Sequence, residues 1–415
     1  MTARVAELPA ERLPAYALFA AVLAAAGLPI YIHAPKFFVD QYGVSLTALA
    51  SVLFLLRLID VAQDPALGWL SEKLRHRRRA AVSVGLVVMA LAMLGLYSVA
   101  PPVHPLLWFG VMLTLVFSAF SFLTINFYAQ GVSKADQLRG DGHLRLARWR
   151  ETGALLGVSV AALSPELLRM VMEQPFAGFA TGFALLALLA LAAMRPEWNA
   201  VHTAPSQGFG VVLRDRLARR LLLLALVNAA PVAVSSTLFL FFVESRLQAP
   251  GMEGPLLLLF FVSAALAAPV WGKLAELHGS KPVLIAAMCL AIVAFGFAVT
   301  LRAGDTALFA VICLASGAAL GADLTLLPAM FARRMAQIAP SATEGFGLWA
   351  FVSKFTLAFA AVALLPALEA GGFRSGQDNP ETALQLLSLL YAGVPCVLKL
   401  LAIALLAGTD VKETG

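Results

Sequence analysis

Twelve apolar blocks, most of them long enough to cross a lipid bilayer, run along this 415-residue chain. They fall at about 13–35, 45–71, 80–100, 105–130, 146–170 and 176–194, then at about 218–245, 255–276, 281–301, 306–331, 345–367 and 382–407. A helix needs about 20 residues to cross roughly 30 Å of hydrocarbon. A backbone in lipid must satisfy its own hydrogen bonds, so the blocks are predicted as helices. Composition agrees: 60% of residues are hydrophobic and 13% are charged, against about 25% charged in soluble chains. The first block is expected to be a retained helix rather than a cleaved leader, because apolar sequence with Pro29, Tyr31 and Pro35 follows Ala24–Ala26.

The cations are distributed unequally. With the N-terminus inside, 22 of the 30 Lys and Arg fall on the cytoplasmic side and 5 on the other. The remaining three, Arg57, Lys354 and Lys399, lie inside apolar blocks. Both termini are therefore expected in the cytoplasm. The net charge of +6 belongs to those loops, and no nucleic-acid partner is expected. Cys289, Cys313 and Cys396 each sit in an apolar run and read as small buried hydrophobes. No nucleophile elbow, phosphate loop or metal-ligand spacing is present, so an enzyme is not expected.

Residues 195–217 form the longest polar interruption and divide the chain into a six-helix bundle at 1–195, a linker at 196–217 and a second bundle at 218–415. A shift of 204 residues superposes Pro65, Gly68, Leu70 and Glu72 on Pro269, Gly272, Leu274 and Glu276, and Arg150 on Lys354. Two parallel, pseudo-symmetric repeats are expected. Asp60 and Asp64 fall on Ala264 and Ala268. The recurring residues read as scaffold and the unrepeated acids as specific chemistry.

Asp60 and Asp64 are four residues apart on one helix face, with Arg57 one turn before. Each buried charge costs about 2.5–3.5 kcal/mol at mid-bilayer, so the group should face a cavity. Two carboxylates one turn apart can coordinate Na⁺ with Gln63 and Ser121, or share a proton. The alternative is a structural Arg–Asp pair. Lys354 is too central to reach an interface, whereas Lys399 reads as a packing or snorkelling residue. Trp349 either stacks on a solute or packs.

The segment Gly272, Leu274, Glu276, Gly279 and Lys281, with Gly68–Glu72 as its partner, resembles the loop signature of the major facilitator superfamily. Arg57, Asp60, Asp64, Pro65, Gly68 and Trp69 resemble the helix-2 signature of the melibiose permease group, the glycoside–pentoside–hexuronide:cation symporters. The resemblance implies an all-α membrane protein of twelve helices in two pseudo-symmetric bundles. It implies cation coupling at Asp60 and Asp64, with Gln63, Ser121 and Thr124 expected to complete the site. Substrate binding is expected at Tyr31, Arg57, Tyr128, Arg150, Trp349 and Lys354, and gating at Gly68, Glu72, Gly272, Glu276 and Asp323. Ala24 and Thr124 stand where that group carries sugar-binding acids.

The expected function is Na⁺- or H⁺-coupled symport of a glycoside, hexuronide or similar polar solute across a bacterial inner membrane. The protein is expected to work as a monomer, with the coupling ion in place of any cofactor. A lysolipid or amphiphile carrier, and a non-transporting assembly factor, are the alternatives.

Overall fold

The structure is a computed structural model that describes residues 11–27, 34, 37–138, 140–198, 208–339, 341–374 and 378–410. The expectations for Tyr31 and for the Arg57 side chain lie outside the described residues. Among those described, every regular element is helical. The first six long helices are α1 (Leu13–Ala25), α2 (Leu46–Lys73), α3 (Arg78–Tyr97), α4 (Pro105–Ala135), α5 (Gly142–Arg169) and α6 (Pro175–Met194). A short helix, Phe209–Arg214, leads into α7 (Arg216–Phe241), α8 (Glu253–His278), α9 (Ser280–Ala298), α10 (Thr306–Ile338), α11 (Thr343–Ala370) and α12. Helix α12 begins as Glu381–Ser388, passes through a π-helical turn at Leu389–Gly393, and resumes as Val394–Ala407. A second π turn, Phe242–Arg246, extends α7.

Eight of these helices (α3, α4, α6, α7, α8, α9, α10 and α12) are long and apolar enough to cross a membrane. Large apolar side chains such as Leu91, Leu185, Leu266, Val293 and Leu400 remain exposed on them, as a lipid-facing surface requires. Helices α2, α5 and α11 have 28 residues each, and they carry Asp60, Asp64, Arg150, Glu151 and Lys354. The first apolar block departs from its expected extent. Helix α1 stops at Ala25, where Gly27 and then Pro29 follow in the sequence. Glycine weakens a helix, and the residue before a proline is pushed out of the α region.

Close packing sets the helix positions. Gly153 and Gly157 of α5 lie against the α1 backbone at Ala17 and Ala21, where any Cβ would clash. Small residues four apart let two helices approach in this way. Gly317 and Gly321 of α10 meet the α8 backbone at Phe260 and Ala264 similarly. Trp271 of α8 also donates from Nε1 to the Ala318 carbonyl at 2.7 Å.

The two halves join chiefly through α2 on α11 and α5 on α8. These two pairings exchange under the 204-residue shift, as a two-repeat architecture requires. At the basic end, Gly68 faces α11, and a Cβ there would sit 3.2 Å from the Thr343 carbonyl oxygen and 3.3 Å from the Gly347 Cα. Gly272 gives room to the Arg148 side chain. Arg148 pairs with Glu276 at 3.3 Å, and Arg333 with Asp141. Glu72 holds Arg75 at 3.0 Å and accepts from the Thr343 hydroxyl at 3.1 Å. The basic ends of the two bundles are thus locked together.

Candidate functional site

At mid-depth α2, α4 and α11 bring a charged cluster together. Asp60 and Asp64 project from one face of α2 and are buried, Asp64 completely. Lys354 reaches across from α11. Its ammonium donates to Asp60 Oδ1 at 2.7 Å and to Asp64 Oδ1 at 3.0 Å, and also to the Ser121 hydroxyl. Ser121 in turn donates to Asp60 at 3.2 Å. Gln63 donates to Asp60 at 3.1 Å and accepts from Ser118 at 2.8 Å. The second oxygen of Asp64 is buried with no hydrogen-bond partner among the described residues. Two carboxylates therefore face one ammonium in a low-dielectric setting, where unbalanced charge is expensive. Ser118 was not singled out in the sequence; it sits one turn from Ser121, a spacing that could have suggested it.

Lys354 also lines a cavity of about 360 Å³ between the halves. Thr124, Ile125 and Tyr128 of α4 form its wall on one side. Residues of α7, α10 and α11, including Trp349, form the remainder. Much of the wall is apolar: Ala225, Val232, Leu324, Leu327, Pro328 and Phe346. Polar groups enter at Thr124, Tyr128, Asn228, Asp323, Ser353 and Lys354. Thr124, one turn from Ser121, leaves its buried hydroxyl without a partner among the described residues.

Arg150 stands differently from its repeat mate Lys354. The guanidinium pairs with Glu151 at 2.7 Å and stacks over the Tyr128 ring at 3.7 Å from its centroid. Tyr128 donates to the same Glu151 carboxylate at 3.1 Å, and its ring packs 5.1 Å from Phe346. Tyr128 lines the cavity, while Arg150 stacks on its ring and is 5% exposed. The expected direct approach of Arg150 to the cavity is replaced by a cation–π contact, because Glu151 beside it neutralises the guanidinium within α5. Trp349 packs on Phe331 at 4.9 Å while bordering the cavity.

The residues assigned to gating separate into two groups. Gly68, Glu72, Gly272 and Glu276 lie at the basic-end contacts. Asp323 lies at mid-depth in the cavity wall, far from that seam. It pairs with Lys399 of α12, whose ammonium also donates to Asn228 Oδ1 at 2.6 Å. Lys399 is 3% exposed, so of the two expectations snorkelling is excluded: it is packed in the interior as one half of an ion pair. Its partners are 76 and 171 residues away in sequence, and no local spacing reveals them.

The fold has counterparts among known proteins. The fold resembles a bacterial homologue of the iron transporter ferroportin in an outward-facing state. That match has a TM-score of 0.67 at 15% identity, covering 95% of this chain and 98% of the other. It also resembles the E. coli fucose:proton symporter FucP, with a TM-score of 0.62 at 16% identity, covering 94% and 98%. At such identities the likeness concerns the fold. No curated protein matches the sequence. The family described as MFS/sugar transport protein matches residues 14–413, nearly the whole chain, and the protein is therefore a member of that family, a transporter of the major facilitator superfamily rather than an enzyme.

Proposed function

We propose that this transporter couples uptake of a small polar solute, such as a glycoside or hexuronide, to one monovalent cation, H⁺ or Na⁺. The bundles 1–195 and 218–415 rock about the central cavity. Both termini and the basic end face the cytoplasm of a bacterial inner membrane. The carrying observation is the Lys354 cluster. One ammonium from the second bundle is shared by two buried carboxylates of the first. The described side chains leave one negative charge over, which a proton or Na⁺ binding at the dyad neutralises.

The cluster also provides the means of coupling. Lys354 and the acids sit on opposite bundles, so a cation at the dyad weakens the grip of Lys354 on α2. The same event alters the cavity wall to which Lys354 contributes. Gly68, Glu72, Gly272 and Glu276 serve as the latch at the cytoplasmic end. The closed basic end is the arrangement that admits solute from outside. Gradient-driven uptake into proteoliposomes, with a sodium gradient or a pH gradient imposed in turn, tests the reading. One of the two should drive accumulation, and failure of both removes the coupling assignment.

A second reading, an amphiphile or lysolipid carrier, is favoured by the apolar stretch of the cavity wall at Val232, Leu324, Leu327 and Phe346. Uptake of a labelled lysophospholipid by the same proteoliposomes distinguishes it.

A further inference from the structure

The cavity has a second polar pole, on α7 and α10, which the proposed mechanism leaves unused. Asp323 of α10 and Asn228 of α7 both line it, at 8% and 4% exposure. Lys399 of α12 binds both, Asp323 Oδ2 and Asn228 Oδ1. The other oxygen of Asp323, Oδ1, is buried with no hydrogen-bond partner among the described residues. An unsatisfied buried acceptor is costly, and a charged one more so. Nearby wall residues Ala229, Val232, Leu324 and Leu327 offer no side-chain donor. With the Asn228 oxygen taken by Lys399, its amide NH₂ is the group left to offer. The wall thus presents an acceptor and a donor side by side.

We infer that Asp323 and Asn228 form a hydroxyl-binding subsite in the C-terminal wall of the cavity, kept net neutral by Lys399. The inference rests on the reading of the protein as a carrier of polar solutes and names the chemistry by which it would hold them. A solute hydroxyl donates to Asp323 Oδ1 and accepts from the Asn228 NH₂. Charge selects against other groups. A solute carboxylate would meet the Asp323 oxygen at close range, and a solute ammonium would compete with Lys399. A hydroxyl satisfies both wall groups without disturbing the ion pair. A purely structural Asp323–Lys399 pair in a packed interior would use both carboxylate oxygens, whereas Oδ1 is buried and unpartnered among the described residues in a residue that lines the cavity. The close α8–α10 packing at Gly317 and Gly321 fixes α10 just before Asp323 and so holds the carboxylate in place.

The test is calorimetric binding of methyl β-D-glucopyranoside, methyl α-D-galactopyranoside and their monodeoxy analogues to the purified full-length protein. Wild type is compared with Asn228→Ala and with the double variant Asp323→Asn/Lys399→Met, which removes both buried charges together. Gel filtration and thermal unfolding establish that each variant is folded, and Asn228→Ala decides alone if the double variant is not. Removal of one particular hydroxyl should weaken binding to wild type by about tenfold to a hundredfold, the range for a hydrogen bond to a charged group. The variants should bind the parent glycoside correspondingly weakly and no longer distinguish that deoxy analogue. Folded variants that keep the wild-type discrimination overturn the subsite while leaving the transport reading intact. A wild type indifferent to every deoxygenation overturns it too. A wild type that binds none of the glycosides overturns the glycoside reading and the subsite together.

Discussion

Replacing Asp64 by asparagine changes the charge of the coupling cluster while barely altering its shape. The amide oxygen can still accept the 3.0 Å bond from Lys354 that the carboxylate accepts now. The described side chains of the native cluster are two carboxylates and one ammonium, a deficit of one positive charge. On the proposed coupling, one cation then enters with each solute. Moving one charge through 100 mV releases about 2.3 kcal/mol, and each 1.36 kcal/mol corresponds to about a factor of ten. A neutral solute should then accumulate to about 50-fold at that potential. In Asp64→Asn the cluster is already neutral, so the driving force has nothing to act on and the ratio should fall to about one. Exchange of labelled for unlabelled solute needs no net charge movement and should persist. The assay is uptake into proteoliposomes clamped at 100 mV with potassium and valinomycin, using a methyl hexopyranoside that the wild type binds. An Asp64→Asn protein that still accumulates solute near 50-fold would falsify the one-cation accounting. Loss of exchange as well would mean that Asp64 is needed to move the bundles rather than to count charge.

Lys399→Met should lower stability by about 3–5 kcal/mol, because it strands the Asp323 carboxylate in the interior. Adding Asp323→Asn should recover most of that loss, read as thermal unfolding, and a single variant as stable as wild type would contradict the buried pairing. Gly68→Val should force α2 and α11 apart, since a Cβ at 68 already lies 3.2 Å from the Thr343 carbonyl oxygen. Labelling of a cysteine placed at Ser353, in a background lacking the three native cysteines, should then rise from the basic side of inverted vesicles; unchanged labelling counts against the latch. Reporter fusions after residues 205 and 415 should both read cytoplasmic, and a periplasmic signal at either one sinks the proposed topology.

The architecture was legible because lipid imposes one rule along the chain: a stretch that crosses must be helical and mostly apolar. The charges that break that rule on α2 and α11, Asp60, Asp64 and Lys354, were conspicuous for the same reason. Their meeting across the bundles followed from the need of each for a partner. The repeat at 204 residues pointed to the seam, since Gly68 and Gly272 both lie at contacts between the halves. Arg150 was harder to read. Sequence placed it level with Lys354, but Glu151 beside it and Tyr128 one face away decided where the guanidinium went. Asp323 was read as a gating residue, Lys399 as a packing or snorkelling residue, and Asn228 was not singled out. They are brought together by three helices from distant parts of the chain, and that convergence exists only after α7, α10 and α12 have packed.

The π turn in α12 has a consequence for this last group. Ala383, Leu387, Tyr391, Pro395 and Lys399 succeed one another at intervals of four, and all five are buried. In an unbroken α-helix each residue advances about 100°, so the 16 positions from Ala383 to Lys399 would overshoot whole turns by about 160°. Lys399 would then point away from the face that Ala383 occupies. The π turn at Leu389–Gly393 takes up one additional residue and reduces the overshoot to about 60°. Tyr391 within it stacks on Phe242 at 4.2 Å, and Phe242 belongs to the π turn of α7. The two irregular turns thus mate and hold each other's phase. Like a spliced link that lets two gears mesh, a single added residue some two turns away swings Lys399 into line with Asp323.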